Sequence, residues 1–164
     1  MKNVFILSGA SGSGKSFYAE KMINGCHSQS EKVSAVVVSA EDHRCPDSEV
    51  LSDFNLLKKM QQQCFRQFMF SMQAGFDLIF VDNANTTAIE IAPYVMASDF
   101  FGYEHNIITF QCRGIEDVRV AAARSGRGLS FDEVFLQHNR ICDRRLLPTW
   151  NFVDVSIEYN TSDV

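Results

Sequence analysis

A short apolar run, Asn3-Val-Phe-Ile-Leu-Ser8, stops abruptly at Gly9-Ala-Ser-Gly-Ser-Gly-Lys15-Ser16. An apolar run of this length that ends at glycine reads as a buried strand of a parallel sheet. The eight residues after it fit G-x-x-x-x-G-K-[ST] and open a helix expected from about Lys15 to Asn24, with Gly25 as its stop. Strand, glycine loop and helix in this order restrict the chain to α/β folds in which the end of the first strand faces an anion. Gly9, Gly12 and Gly14 let the backbone turn its N–H groups inward, those of Ser11 and Ser13 included, and the helix adds its positive N-terminal end. In such a loop Lys15 reaches the β- and γ-phosphates and Ser16 ligates magnesium, so the motif implies ATP with Mg2+.

The rest of the chain alternates strand and helix patterns. Val33–Ser39, Asp77–Asp82, His105–Cys112 and Asn151–Tyr159 read as further strands. Between them, Glu49 to Gln73 carries apolar residues at 57, 60, 64, 68 and 72, the spacing of an amphipathic helix. Thr86 or Thr87 caps a helix running to Phe101, which Pro93 kinks or shortens. Ile115 to Ala123 forms another, and Ser130-Phe-Asp-Glu133 is a capping box that starts the next. The expected fold is a single-domain α/β P-loop NTPase, with a mostly parallel five-stranded sheet flanked by helices. It occupies residues 1–159, with a small helical lid at about 115–145 and a polar tail at 160–164.

Composition excludes several classes. No apolar run approaches membrane-spanning length, and Val4 to Leu7 is too short for a secretion signal, which implies a cytoplasmic protein with no membrane partner. The five cysteines form no C-x-x-C pair, and neither they nor the four histidines have metal-ligand spacing. A net charge of −5 argues against coating nucleic acid, although not against gripping one strand end. Seven arginines fall between residues 113 and 145 against five acidic side chains, which suggests an arginine-bearing segment near phosphate.

Two further groups belong at the carboxyl edge of such a sheet, where α/β proteins bind ligands. Asp82 ends a buried strand and can hold the magnesium, directly or through water. Ser39-Ala-Glu-Asp-His-Arg44 follows the second strand, so one of its carboxylates can take a proton from an incoming hydroxyl while Arg44 holds an anionic acceptor. A solvated acidic loop is the alternative.

Together these segments resemble the P-loop kinases related to the 5′-hydroxyl polynucleotide kinases, in a compact AAA-type kinase-like branch. The resemblance rests on Gly9–Ser16, Ser39–Asp42, Val81-Asp-Asn-Ala-Asn-Thr86, and Ile91-Ala-Pro-Tyr-Val95 with Gly102-Tyr103. It implies that the general base is Glu41 or, because the family's usual Asp is Glu here, Asp42. It implies that Arg44 binds acceptor phosphate and that lid arginines stabilise the transferring phosphoryl group. Arg124 and Arg127 flank Gly126 and are favoured for that role over Arg119. Asn83 and Asn85 are read as groups near Asp82, Asn85 as an acceptor contact, with helix capping as the alternative.

The expected activity is ATP-dependent transfer of the γ-phosphate to a hydroxyl of a nucleic acid or nucleotide, a polynucleotide 5′-hydroxyl first. Alternative acceptors are a hydroxymethylated DNA base, a nucleoside or a small molecule. A non-catalytic ATP-binding switch is the remaining reading.

Overall fold

The computed structural model describes residues 1–27, 32–44, 54–126 and 128–157. Strand β1 (Asn3–Gly9) turns Val4 and Ile6 to one side and Phe5 and Leu7 to the other. This double burial is what a central parallel strand requires. Strands β2 (Ala35–Val38), β3 (Leu78–Asp82), β4 (Glu104–Gln111) and β5 (Phe152–Ser156) complete a five-stranded sheet in the order β2-β3-β1-β4-β5. Every pairing is parallel, so each connection crosses over the sheet.

Helix α1 (Lys15–His27) lays Tyr18, Ala19, Met22 and Ile23 on the face formed by Leu7, Phe80, Ile108 and Phe110. Helices α2 (Phe54–Ala74) and α3 (Ala88–Phe100) cover the opposite face, with Met60, Cys64, Phe68, Ile91 and Tyr94 against Val4, Ile6, Ile79 and Val81. Helices α4 (Ile115–Arg124) and α5 (Phe131–Asp143) share a smaller core, in which Val118, Ala121 and Val134 meet Ala10 of the glycine loop. The expected lid segment thus contributes to the packing beneath the loop as well as bordering it.

Several boundaries differ from the sequence reading. Gly25 does not stop α1; its φ is not positive and a Cβ there would meet nothing, so the helix continues through an exposed glycine at a cost of about 1 kcal/mol relative to Ala. Thr87, not Thr86, is the N-cap of α3, in a capping box with Glu90. Thr86 instead donates its backbone N–H to the Glu90 carboxylate at 2.6 Å. Pro93 lies inside α3 and does not set its start. Residues Ala40–His43, read as loop, form a 3-10 turn whose N-cap is Ser39. Residues 49–53 of the expected second helix and the 160–164 tail lie outside the described residues.

A parallel strand that ends inside the protein leaves backbone groups to satisfy beyond the ladder. At the end of β1, Gly9 N–H donates to the Ala84 carbonyl and Asn85 Nδ2 donates to the Leu7 carbonyl. Asn85 has φ 45°, a left-handed conformation that Asn tolerates better than most residues. Arg144, just past α5, completes the knot. Its Nη1 donates to Ser8 Oγ and the Asn85 carbonyl, both at 2.6 Å, and Nη2 donates to Thr109 Oγ1 at 2.8 Å. Burial lowers the guanidinium pKa from its ordinary value.

Arg144→Met removes three charge-assisted hydrogen bonds and should lower the unfolding free energy by about 2–4 kcal/mol. A urea titration with an unchanged slope and a lower midpoint is the expected result.

Candidate active site

The loop between β1 and α1 turns through Gly12 at φ 80° and Gly14 at φ 97°, conformations that glycine adopts at little steric cost. The two glycines have different surroundings. A Cβ on Gly12 would lie 1.8 Å from the Ala121 carbonyl oxygen of α4, whereas one on Gly14 would meet no atom within 4 Å. The α4–α5 segment grips the loop elsewhere too: Ser11 N–H donates to Gln137 Oε1 at 2.8 Å, and Ser11 Oγ lies 2.9 Å from Ser125 Oγ. Sequence reasoning missed Gln137 and Ser125, since no local motif marks a helical glutamine that accepts from a distant loop.

Lys15 is buried and bends back along the loop, its Nζ donating to the Gly9 and Ala10 carbonyls at 2.9 Å each. This fixes the ammonium at the cradle. Ser13 Oγ is the one buried side-chain oxygen or nitrogen without a hydrogen-bond partner among the described residues. An unsatisfied hydroxyl on a loop that turns through two left-handed glycines suits a phosphate ligand. The Ser11 and Ser13 N–H groups, expected to turn inward, are instead engaged within the protein, Ser11 with Gln137 Oε1 and Ser13 with the Ala10 carbonyl at 3.1 Å.

Ser16, at the start of α1, donates from Oγ to Asp82 Oδ2 at 2.5 Å. A hydroxyl and a carboxylate this close beside a phosphate cradle are the hard oxygen donors that magnesium takes, so these residues fit the ion.

The 3-10 turn is pinned to the same edge. Ala40 N–H donates to Asn83 Oδ1 at 2.8 Å, and the Asn83 amide in turn reaches Cys64 Sγ and Tyr94 OH, both at 3.4 Å. Burial raises the pKa of both Cys64 and Tyr94, so they stay neutral partners. Asn83 therefore ties the turn to the residue after Asp82. Glu41 accepts from Arg44 Nη1 at 3.0 Å, a partly exposed ion pair within the turn.

A cleft of about 1220 Å3 joins these parts, lined by Ser11–Ser16, Glu41, Asp42, Asp82, Arg124 and Gly126 among others. The carboxylates, the loop and one of the favoured arginines thus share one cavity. Arg44 does not line it but pairs with a residue that does. Arg119 pairs with Glu116 on an exposed helix face. Asn85 requires a correction: it is buried, does not line the cleft, and donates its side-chain amide to the Leu7 carbonyl, which makes it a brace for β1. Arg127 lies outside the described residues.

A five-stranded parallel sheet of this order, with a phosphate loop after its central strand, defines a P-loop kinase-like domain. The family model described as an AAA domain matches residues 4–143, and the chain belongs to that family. No curated protein matches it in sequence.

Among solved structures it is similar to Chaetomium thermophilum Kti12 in complex with ADP-AlF3, with a TM-score of 0.67 at 10% identity over 98% of this chain and 92% of that one. It is also similar to a chain of the Pnkp1/Rnl/Hen1 RNA repair complex, with a TM-score of 0.65 at 15% identity over 86% of this chain. A gluconokinase from Sinorhizobium meliloti 1021 gives 0.57 at 12% identity, over 98% of this chain and 86% of that one. This chain spans only 44% and 37% of the matched chains in two Pnkp1/Rnl/Hen1 structures. At these identities the likeness is one of fold. No described helix is long and apolar enough to cross a membrane.

The two glycines give a paired test. Gly12→Ala must displace α4 or the loop and should cost about 3–5 kcal/mol of stability. Gly14→Ala should cost only about 1–2 kcal/mol for its positive φ, yet weaken binding of a non-hydrolysable ATP analogue by at least about tenfold. Thermal unfolding and calorimetric titration separate the two outcomes.

Proposed function

We propose that this protein is an ATP-dependent phosphotransferase that moves the γ-phosphate to a hydroxyl of a nucleic acid or nucleotide, with a polynucleotide 5′-hydroxyl as the first choice. The observation that carries the reading is the single cleft lined by the phosphate loop, Asp82, the carboxylates of the 3-10 turn and Arg124. A triphosphate donor, a proton acceptor and a cation at the transferring group are the parts phosphoryl transfer needs.

In this reading the loop N–H groups and Lys15 hold the β- and γ-phosphates of ATP. Ser16 and Asp82 hold magnesium, which when bound supplies positive charge shared by the phosphate oxygens. Glu41 or Asp42 accepts the proton of the attacking hydroxyl, so that oxygen bonds to the γ-phosphorus as the bond to the ADP leaving oxygen breaks. Glu41 already holds Arg44 through its carboxylate. An acceptor phosphate drawn to Arg44 competes for that guanidinium and frees Glu41 for the hydroxyl.

Arg124 lines the cleft with Gly126 on the connection between α4 and α5, and in this reading that connection is the lid, with Arg127 as its second arginine. An arginine so placed can be worth about 10³–10⁵ in rate. The unbridged thiols of Cys26, Cys64, Cys112 and Cys142 support a reducing, cytoplasmic setting.

Lys15→Ala should abolish transfer from labelled ATP, and full activity in that variant would overturn the nucleotide site. Of Glu41→Gln and Asp42→Asn, the one that replaces the base should lower turnover by about 10²–10⁴ with little change in the KM for ATP. A panel of 5′-hydroxyl oligonucleotide, hydroxymethylated DNA, nucleosides and sugars decides the acceptor. Labelling of sugars alone would sink the first choice, and ATP binding with no transfer to any acceptor would favour a switch.

A further inference from the structure

A second hollow, of about 460 Å3, lies between the 3-10 turn and α2. Its lining includes His43, Gln63, Arg66, Gln67, Phe70 and Phe76. Consecutive residues of one turn thus face two cavities: Asp42 lines the triphosphate cleft and His43 lines this hollow. His43 Nε2 lies 3.0 Å from Gln67 Oε1, which fixes the turn to α2.

Arg66 and Phe70 are four apart on α2 and stand on one face. Phe70 is 69% exposed, although the opposite side of the same helix buries Cys64, Phe68 and Met72. Among the described residues the lining of the hollow holds no carboxylate, in a chain whose net charge is −5. An exposed aromatic ring with a guanidinium one turn away is the pairing that single-stranded nucleic acids use for sequence-tolerant binding. An aromatic face stacks a base and a cation neutralises the adjoining phosphate.

We propose that this hollow holds the nucleotides that follow the first one of a single-stranded acceptor, with Phe70 stacking a base and Arg66 contacting the backbone phosphate. The proposal rests on the phosphotransferase reading above and deepens it: it makes a strand, rather than a mononucleotide or a sugar, the preferred acceptor. The 5′-hydroxyl stays at Glu41 and Asp42, and the strand passes His43 to reach α2. No group in the hollow takes part in the transfer itself.

The test uses the whole chain, Phe70→Ala and Arg66→Ala, with thermal unfolding to confirm that both variants stay folded. Two acceptors are compared, a nucleoside 3′-monophosphate and a 5′-hydroxyl oligonucleotide of about eight residues. Phe70→Ala should raise the KM for the oligonucleotide by about tenfold while leaving its kcat, the KM for ATP and the KM for the mononucleotide unchanged. Arg66→Ala should weaken oligonucleotide binding and reduce the salt dependence of that binding by about one counterion. Equal use of both acceptors by wild type, or variants that match it on the oligonucleotide, would overturn the hollow and leave the phosphotransferase reading intact. Absence of transfer to either acceptor would sink that reading instead. Fluorescence anisotropy of a labelled oligonucleotide then decides the hollow alone: binding that falls in both variants supports it, and binding that is absent or unchanged refutes it.

Discussion

The end of the central strand is where this molecule meets its hardest physical demand. β1 leaves the hydrogen-bond ladder while still buried, and within a few residues its backbone must turn through the left-handed glycines of the loop. The intervening groups are satisfied by a knot of polar contacts that brings together segments far apart in sequence. Ala84 accepts from Gly9, Asn85 braces Leu7, and Arg144 locks Ser8 and Asn85 to Thr109. A buried polar network of this kind holds one geometry firmly when every member is paired. The phosphate loop inherits its position from that knot, as Asp82 inherits its own from the neighbouring strand.

The second consequence is that the two halves of the candidate site share one foundation. Asn83 follows Asp82 and reaches across to the backbone of Ala40, so the turn bearing Glu41 and Asp42 is fixed to the strand that bears Asp82. The Cys64 and Tyr94 partners of Asn83 are raised in pKa by burial and lie among the aromatic contacts of α2 and α3. The carboxylates of the turn and of β3 are thereby held at a fixed spacing by the core, the arrangement that the proposed transfer needs.

The phosphate loop was legible in the sequence because all its requirements are local: an apolar strand, glycines at fixed offsets, and a lysine and serine at the start of a helix. The capping boxes at Thr87 and Ser130 were legible for the same reason. What escaped depends on distant chain. Arg144 belongs to the arginine-rich segment that the sequence suggested lies near phosphate, yet its guanidinium is spent on bracing β1. Asn85 looked like a polar group waiting for a ligand, and only the register of β1 beside β3 shows that it serves a carbonyl. The 3-10 turn was hidden because its four residues carry no apolar period, and its cap and its Asn83 anchor do the organising. Gly25 misled in the opposite sense, since a glycine stops a helix only where the chain needs a left-handed residue.

The contact of Gly12 with Ala121 reaches beyond this one molecule. Two backbones touch there without a side chain between them, so the shape of the phosphate loop and the seat of α4 cannot drift apart independently over evolutionary time. A descendant that acquires any larger residue at position 12 must also shift the start of the arginine-bearing connection that α4 leads into. In this architecture, moving the connection that follows α4 and reshaping the loop beneath it are a single heritable step.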